Sequence, residues 1–251
     1  GMREFFEQFP QFRDRLPPNF RFRGPRGPEG TGLGSGFIIS ADGYAVTNNH
    51  VVKDADRVTV RTKDGEEFEA KVVGTDPKTD LALIKIESSK VFQFVNFAKN
   101  EARVGDWVMA VGNPFGLGGT VTTGIVSARG RDIGNGPYDD FLQIDASINK
   151  GNSGGPAFNM NGEVVGVDPA IFSPSGGSVG IGFAAPAATT KDVIASLREN
   201  GEVTRGWLGV QIQPVTKDIA DSLGLKEAKG AIVADVTQGS PALAAGLKAG
   251  D

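Results

Sequence analysis

The sequence contains no cysteine, only one histidine and no long apolar run, and each of these absences narrows the possible functions. Without cysteine, disulfides, thiolate catalysis and Cys-ligated metals are excluded. With His50 as the only histidine, a metal site could draw only on carboxylates. No apolar stretch approaches the ~20 residues that span a bilayer, so we expect membrane association to be peripheral at most. The net charge of −4 gives no argument for nucleic acid as a partner.

The N-terminus also lacks a recognisable secretory signal peptide. It starts with Gly1-Met2, followed by Arg and Phe residues rather than an apolar core. Either the protein is not exported, or a signal lies upstream of this sequence. Residues 1–33 nevertheless contain Phe5-Phe6 and further Phe residues, which solvated tails usually lack. A mobile tail and a functional contact segment both remain open for this stretch.

Glycine is abundant, with 36 residues, and favours many short strands joined by tight turns. From residue 34 to about 185, turn signals such as Asp42-Gly43 and Asn161-Gly162 separate short apolar runs, which predicts a closed barrel or a pair of barrels. One helix is predicted at 187–200, ending at Gly201. The predicted strands are 36–40, 44–48, 57–62, 67–74, 81–86, 107–111, 120–128, 141–145, 163–168 and 179–184.

A second unit begins after Gly201. Its predicted elements are a strand at 207–213, a helix near 216–223, a strand at 230–236 and a helix near 240–246. A unit this short buries little core of its own. We therefore expect it to be part of a domain that continues beyond this sequence.

His50 is the first candidate catalytic residue. It follows the predicted strand 44–48, and a strand end holds a side chain rigidly at a cleft. A lone histidine is more often structural or merely exposed. Its pKa near neutrality suits proton transfer, however, and the sequence position favours a general base.

Ser153 is the candidate nucleophile, in the stretch Gly151-Asn152-Ser153-Gly154-Gly155-Pro156. An ordinary glycine-rich turn would have the same composition. Glycines on both sides of a nucleophile allow a sharp backbone turn and close approach of a substrate carbonyl. The N–H groups of Gly151 and Ser153 would then form an oxyanion hole.

An acid must accept the imidazole N–H and fix its tautomer. Asp80 is the first candidate because it directly precedes the apolar run 81–86. On chemistry alone, Asp106 and Asp145 are alternative candidates. The order His, Asp, Ser along the chain is that of chymotrypsin and differs from the subtilisin and α/β-hydrolase orders. In a chain predicted to be all-β, this agreement between residue order and fold class favours a catalytic triad of the chymotrypsin type.

Together these motifs resemble those of the HtrA proteases, also called the Deg or peptidase Do family, and most closely those of the bacterial periplasmic members. The stretches that carry the resemblance are TNNHVV (47–52), DPKTDLALIKI (76–86), RVGDWVMAVGNPFGLGGTVTTGIVSA (103–128), DASINKGNSGGP (145–156), SPSGGSVGIGFA (173–184), RGWLGV (205–210) and GSPALAAGLKAGD (239–251). They extend over nearly the whole chain.

The resemblance implies an all-β, chymotrypsin-like fold of two perpendicular six-stranded barrels, with the active site between them. Residues 34–201 would be the trypsin-like protease domain, and 202–251 a partial α+β PDZ domain. The implied activity is that of an ATP-independent periplasmic serine endopeptidase that degrades misfolded or damaged proteins. It would need no metal or organic cofactor, and trimers would be its basic unit. The alternative is a chaperone or scaffold whose protease site is silent.

The resemblance also assigns roles to individual residues. The triad is His50, Asp80 and Ser153, and the oxyanion turn is Gly151, Asn152 and Ser153. Substrate-binding residues are Ile148, Lys150, Ala170, Ile171 and Phe172. Because the pocket wall formed by Ile148, Ile171 and Phe172 carries no charge, we expect cleavage after Val, Ala or similar aliphatic residues.

Three further segments resemble regulatory or binding loops. Residues 1–33, with Phe5 and Phe6, resemble loop LA, and residues 129–140, with Arg129 and Arg131, resemble the sensor loop L3. The stretch Arg205-Gly206-Trp207-Leu208-Gly209 resembles a PDZ carboxylate-binding loop. Gating by loop order is the hypothesis that follows, and deletion of residues 3–20 should then raise basal peptide hydrolysis.

The sequence departs from the family pattern at four places, two of which are Gln143-Ile144-Asp145 for the usual Gln-Thr-Asp and Ala184-Ala185-Pro186 for the usual Ala-Ile-Pro. The usual Ile-Asn-Thr-Ala reads Val167-Asp168-Pro169-Ala170, and proline removes one backbone donor from a strand expected to pair with substrate. The family's first barrel strand normally precedes loop LA, whereas this sequence begins in that loop. We therefore expect that residues upstream of this sequence complete the first barrel.

Overall fold

The structure, a computed structural model, describes residues 33–114, 119–134, 136, 138–171 and 178–251, with the backbone alone for 169–171. The strands are β1 Phe37–Ile38, β2 Tyr44–Asn48, β3 Arg57–Arg61, β4 Glu67–Asp76, β5 Leu81–Ile86, β6 Trp107–Gly112, β7 Thr120–Arg131, β8 Phe141–Ile144, β9 Pro156–Phe158, β10 Val164–Ile171, β11 Gly182–Pro186, β12 Val210–Pro214 and β13 Ala231–Val236. The helices are α1 Asn49–Val52, α2 Ala187–Asn200, α3 Lys217–Leu223 and α4 Pro241–Ala244.

The first five strands form an antiparallel sheet in the order β1-β2-β5-β4-β3. Its central strand β5 is covered on both faces, because alternate residues of a strand point to opposite sides. Leu81 and Leu83 enter the core shared with the second barrel, whereas Ala82 and Ile84 point into the first sheet's own core. The described residues thus supply five strands where the resemblance implies six.

The next six strands close into an antiparallel barrel in the order β10-β11-β8-β7-β6-β9. Its interior is filled by small and branched side chains, and Val126, Ile144 and Ala157 are fully buried there. A closed barrel leaves no free strand edge. The predicted barrel architecture is confirmed in this half of the fold.

The sheet and the barrel share one hydrophobic core, to which α2 also contributes. Val46 and Leu83 of the sheet meet Val167 of the barrel and Leu197 of the helix. Helix α2 has the bounds that the sequence predicts, and it ends at Gly201, whose N–H donates to Leu197 O. Because this core includes side chains from both the sheet and the barrel, it fixes the position of the loops of one relative to those of the other.

The remaining residues form a small unit in which β12 pairs with β13 and two short helices follow the strands. Thr216 and Ser240 cap α3 and α4 through their hydroxyl groups. The predicted order of strand, helix, strand and helix is confirmed. Within the described residues, no helix has the length and apolar character needed to cross a membrane.

Several elements differ from the sequence prediction: β7 and β10 each end three residues later than predicted, and β12 starts at Val210 rather than at residue 207. The three-residue strand β9 is absent from the prediction, and β11 starts at Gly182 rather than at residue 179. The histidine that was expected at a strand end lies instead on the four-residue helix α1, directly after β2. The strand still fixes its position, since α1 begins where β2 stops.

Candidate active site

His50 and Asp80 are joined by two hydrogen bonds. His50 Nδ1 lies 2.6 Å from Asp80 Oδ2, and the His50 backbone N–H donates to Asp80 Oδ1 over 2.9 Å. The Asp80 side chain is only 14% exposed, whereas the imidazole is 46% exposed. Both carboxylate oxygens of Asp80 thus interact with His50. This fixes the plane of the imidazole ring and places the Nδ1 proton toward Asp80.

The backbone of Asp80 is fixed as tightly as its side chain. Its carbonyl accepts from Asn48 Nδ2 at 2.7 Å and from Asn49 N at 3.0 Å. Its φ of 55° lies in the left-handed region, which is uncommon for a residue other than glycine. A conformation of this kind persists when its surroundings over-determine it, and such residues cluster at functional sites.

The two competing acids are engaged elsewhere. Asp106 Oδ2 accepts the backbone N–H of Arg103 at 2.8 Å. Asp145 Oδ1 accepts the N–H of Ile125 at 2.6 Å. Of the three candidates that the sequence leaves open, only Asp80 is hydrogen-bonded to the imidazole in the structure.

The hydrogen bond to Asp80 raises the pKa of His50 above its ordinary value of 6.5; burial opposes this rise and the negative charge of Asp80 adds to it. The hydrogen bond outweighs the burial because the carboxylate stabilises the imidazolium more than the partial loss of water destabilises it. An imidazole in this state accepts a proton readily at its other nitrogen.

The loop that carries Ser153 packs against the end of β2. A Cβ atom at Gly154 would lie 2.4 Å from Thr47 Oγ1 and 2.9 Å from Asn48 N, so only glycine fits. Gly154 also has a φ of 86°, in the region that favours glycine. This contact brings the Ser153 loop to the same strand end from which α1 presents His50.

Ser35 ties this loop down and was not identified from the sequence. Its N–H donates to Ser153 O at 2.8 Å and its hydroxyl to Gly151 O at 2.7 Å. The same hydroxyl accepts from Asn113 N at 2.9 Å. Only the two glycines on either side of Ser35 hinted at a close approach, because all of its partners are distant in the sequence.

The turn before Ser153 consists of Gly151 and Asn152. Gly151 has a φ of 105°, and its N–H has no acceptor among the residues that the structure describes. The Asn152 N–H donates to Asn149 O at 3.0 Å, and the Asn152 side chain is buried against Gly112. An N–H left open beside a serine can stabilise an oxyanion.

The predicted substrate-binding residues are only partly described. Ile148 is 2% exposed and lies in the barrel core, where it faces Gly182, and Lys150 is exposed. Ala170 and Ile171 are described by their backbone, which pairs with β11, and Phe172 lies outside the described residues. The described part of the expected pocket is therefore apolar at Ile148.

Asp168 is the least expected group near the site. It is fully buried, and neither carboxylate oxygen has a hydrogen-bond donor among the described residues. Burial raises the pKa of this carboxyl well above its usual range. Its backbone pairs with the Ser153 loop, since Asp168 O accepts from Gly154 N at 2.8 Å and Asp168 N donates to Gly155 O at 2.9 Å. The register shift between Val167 and Ala170 accommodates the following proline.

The two arginines of the expected sensor loop make contacts within the barrel half of the fold. Arg129 and Arg131 belong to the end of β7, where Arg129 pairs with Glu101 and Arg131 Nε donates to Gln143 Oε1 at 2.9 Å. Phe5 and Phe6 lie outside the described residues.

The expected carboxylate-binding loop of the second unit is only partly accessible to solvent. Gly206, Trp207 and Leu208 are exposed and Gly209 is buried, but the Arg205 guanidinium pairs with Asp76 of the first sheet. Across the described ranges, no group of three or more acidic or histidine side chains could hold a metal ion.

Comparison with known proteins places the chain among serine proteases. Residues 34–167 match the model of the trypsin-like peptidase domain. A protein of Rhizobium meliloti named "probable periplasmic serine endoprotease DegP-like" is 61% identical over 258 residues, covering 100% of this chain and 51% of the relative. A protein of the same name from Brucella suis is 67% identical over 220 residues, covering 87% of this chain and 43% of the relative. The chain thus spans about half the length of these curated relatives.

Solved structures agree with the sequence relatives. The HtrA-type protease AlgW with a tripeptide superposes with a TM-score of 0.79 at 49% identity, covering 87% of this chain and 73% of that one. A serine endoprotease from Yersinia pestis gives a TM-score of 0.68 at 38% identity, covering 90% of this chain and 73% of that one.

Proposed function

The chain belongs to the HtrA family of trypsin-like serine proteases, and from this premise we propose that it is an ATP-independent serine endopeptidase that acts through Ser153, His50 and Asp80. The observation that carries the proposal is the 2.6 Å contact between His50 Nδ1 and Asp80 Oδ2, at the strand end against which the Ser153 loop packs. An alignment of base and acid at the nucleophile's loop is what acyl transfer requires.

In the proposed reaction, Ser153 Oγ attacks the carbonyl carbon of the scissile bond while His50 Nε2 takes the hydroxyl proton. Asp80 holds the Nδ1 proton and stabilises the imidazolium as it forms. His50 then gives the proton to the leaving amine, and an acyl-enzyme remains on Ser153. Water, activated by the same imidazole, releases the acyl group and restores the enzyme.

The negative oxygen of the tetrahedral intermediate needs donors that are already in place. We assign these to the N–H groups of Gly151 and Ser153, with Asn152 shaping the turn between them. The anchoring of Gly151 O by Ser35 Oγ supports this assignment, because it holds the peptide group that directly follows the Gly151 N–H and so restrains the turn before substrate arrives. Donors that need no reorganisation are typically worth about 10²–10³-fold in rate.

For the residue before the scissile bond we propose a small aliphatic side chain such as Val or Ala. The buried, apolar Ile148 supports this, and Ile171 and Phe172 would complete the wall. A peptide library with preferred cleavage after Lys or Asp would contradict this specificity.

Substrates, location and assembly follow from the family. We propose that the protein degrades misfolded or damaged proteins in the bacterial periplasm, where the names of its relatives place them. AlgW is known with decapeptide and tripeptide ligands, which supports peptide chains as the ligand class here as well. We expect trimers as the basic unit and no cofactor.

The test is casein degradation by the wild-type protein, Ser153→Ala and the control Ser222→Ala, which alters an exposed serine on α3. Ser153→Ala should lose about 10⁴-fold or more of the cleavage rate yet still bind unfolded casein, whereas Ser222→Ala should cleave normally. Undiminished cleavage by Ser153→Ala would refute the assignment. Binding without cleavage by the wild-type protein would favour the chaperone or scaffold function instead.

A further inference from the structure

A buried carboxyl group belongs to the strand that pairs with the Ser153 loop. Asp168, on β10, is 0% exposed. Its backbone N–H donates to Gly155 O at 2.9 Å, and its carbonyl accepts from Gly154 N at 2.8 Å. Two backbone hydrogen bonds thus join Asp168 to the two residues that follow Ser153. A movement of β10 at this point would therefore displace the Ser153 loop.

The elements packed against β10 provide no counter-charge for this carboxyl. The strands β9 and β11 and the segment 96–98, which pair with β10, contain no charged residue. Lys150, the charged residue of the Ser153 loop, is exposed. The titratable residues on the two other neighbouring elements are Tyr44 on β2 and the exposed Lys191, Asp192, Arg198 and Glu199 on α2. Across the described residues, burial is the only influence on the pKa of Asp168, and it raises that pKa well above its usual range.

The junction around the Ser153 loop contains more buried acceptors than donors. Four buried side-chain atoms have no hydrogen-bond partner among the residues that the structure describes, and all four are oxygens: Asp168 Oδ1 and Oδ2, Asn152 Oδ1 and Asn48 Oδ1. Gly155 N donates to Asn152 O at 2.7 Å, so Asp168 and Asn152 are each one hydrogen bond away from Gly155. Asn48 N lies 2.9 Å from the Cβ position of Gly154. A carboxylate only accepts hydrogen bonds, whereas a protonated carboxyl has an O–H to donate.

We infer that Asp168 is a positioning residue for the Ser153 loop: as a neutral acid it supplies the hydrogen-bond donor that this junction lacks, and as an anion it pulls β10 away from Gly154 and Gly155. The neutral form is favoured because a buried carboxylate without donors is far more costly than a buried carboxylic acid. Keeping a carboxylic acid neutral in an apolar site, so that it can donate a hydrogen bond, is a device that enzymes use. Ionisation would force the side chain toward water, and the backbone of β10 would move with it.

This inference rests on the proposed function and gives a role to one departure from the family pattern. The usual residue at this position is Asn, whose side-chain N–H groups can donate at any pH. Asp168 can donate only while it is protonated. The substitution of Asp for Asn therefore makes the arrangement of the Ser153 loop dependent on pH in this protein.

The experiment measures peptide hydrolysis from pH 5 to pH 10 for the wild-type protein, Asp168→Asn and Asp168→Leu. Asp64→Asn is the matched control, because Asp64 is an exposed aspartate in a turn of the first sheet. Near-UV circular dichroism at each pH reports the folded fraction, to which all rates are normalised. Infrared difference spectra between the wild-type protein and Asp168→Asn at pH 7 show directly whether the Asp168 carboxyl is protonated.

We expect a bell-shaped pH profile for the wild-type protein. Activity rises as His50 loses its proton, and it falls at higher pH as Asp168 loses its proton. Asp168→Asn should keep the rising limb but not the alkaline fall, so that it exceeds the wild-type rate by about 10-fold or more at the alkaline end. Asp168→Leu, which has no donor, should lose about 10- to 100-fold in kcat/KM at every pH. Asp64→Asn should follow the wild-type profile, and the infrared spectra should show a protonated carboxyl.

The inference would be overturned by an alkaline fall of equal size in Asp168→Asn, by full activity of Asp168→Leu, or by an ionised Asp168 carboxylate at pH 7. An alkaline fall that disappears after normalisation to the folded fraction would also overturn it, since Asp168 would then affect stability alone. If Asp168→Leu does not fold, the comparison with Asp168→Asn and the infrared spectra decide. Failure of the proposed function is distinguishable, because the wild-type protein would then show no Ser153-dependent hydrolysis at any pH.

Discussion

Two buried carboxylates on β4 and β10 illustrate how single residues set the electrostatics of this protein. Asp76 and Asp168 are 3% and 0% exposed. Asp76 has hydrogen bonds from Arg205 and Thr79 that overcome the effect of burial and lower its pKa. Asp168 has no hydrogen-bond donor to its carboxylate among the described residues, and burial raises its pKa. Burial thus opposes ionisation at both sites, and only at Asp76 do hydrogen bonds reverse the outcome.

The raised pKa of Asp168 predicts that stability depends on pH. The folded state binds this proton more tightly than the unfolded chain, so the contribution is fully present below the unfolded pKa of about 3.9 and is lost as pH rises through the folded value. Asp168→Asn should therefore raise the melting temperature more at pH 8 than at pH 5, because the amide has no ionised form that burial would destabilise. Thermal unfolding at the two pH values measures this.

Asp64→Asn is the control, because Asp64 is an exposed aspartate in a turn of the first sheet. It should change the melting temperature little at either pH. If Asp168→Asn destabilised the protein equally at pH 5 and pH 8, the carboxyl would not be held in its protonated form.

At the scale of elements, the contact between the Ser153 loop and the end of β2 sets the position of that loop in the candidate active site. Gly154 allows that contact because there is no room for a side chain between it and Thr47. The hydrogen bonds of Ser35 to Gly151 and Ser153 add a second attachment from the segment before β1. The Ser153 loop is therefore shaped by residues that lie more than a hundred positions earlier in the chain.

Gly154→Ala should abolish most activity while the protein still folds. The new Cβ would lie 2.3 Å from Ser35 O and 2.4 Å from Thr47 Oγ1, so the loop must shift away from β2. We expect a loss of about 100-fold in kcat/KM, measured by peptide hydrolysis. Gly65→Ala is the control, since Gly65 has nearly the same φ, 85° against 86°, with no atom within 4 Å of its Cβ position. Equal activities of the two variants would contradict this account of the loop.

The sequence predicts long, regular elements well and short ones poorly. Helix α2 carries its apolar positions at helical spacing and a glycine stop, and both of its ends are predicted. Strand β9 has only three residues, begins with Pro156, and forms because β6 and β10 lie on either side of it. Helix α1 is a single turn that directly follows β2. In both short elements, tertiary pairing rather than local propensity decides the structure.

At the scale of the whole molecule, the first sheet, the barrel and α2 share one core. Leu83, Val167 and Leu197 are fully buried in it and come from the three different parts. Neither the sheet nor the barrel would cover these side chains alone. The junction that carries His50, Asp80 and Ser153 is therefore as stable as the core beneath it.

Leu83→Ala tests whether the sheet and the barrel unfold together. Removing a fully buried leucine should cost about 2–5 kcal/mol and shift one shared transition of sheet and barrel to lower temperature. Leu225→Ala, at a position that is 46% exposed, should have little effect. Calorimetry in which Leu83→Ala splits the unfolding of residues 34–201 into two transitions would contradict a shared core.

The site itself is predictable only in part from the sequence. His50 and Ser153 stand out by their own chemistry and surroundings, whereas Asp80 competes with Asp106 and Asp145 until hydrogen bonds separate them. The hydrogen bonds of Ser35 to Gly151 and of Arg205 to Asp76 join residues that are 116 and 129 positions apart in the sequence. No local pattern encodes such distances, so these positioning contacts become visible only in the fold.

The most direct test of the proposed triad is the rate of labelling by diisopropyl fluorophosphate between pH 5 and pH 9, with the modified residue mapped by mass spectrometry. We predict one label per chain, on Ser153, at a rate that reaches half its maximum above pH 6.5, because the hydrogen bond to Asp80 raises the pKa of His50. His50→Ala should not be labelled. Labelling of another residue, or labelling of Ser153 at the same rate in His50→Ala, would contradict the triad.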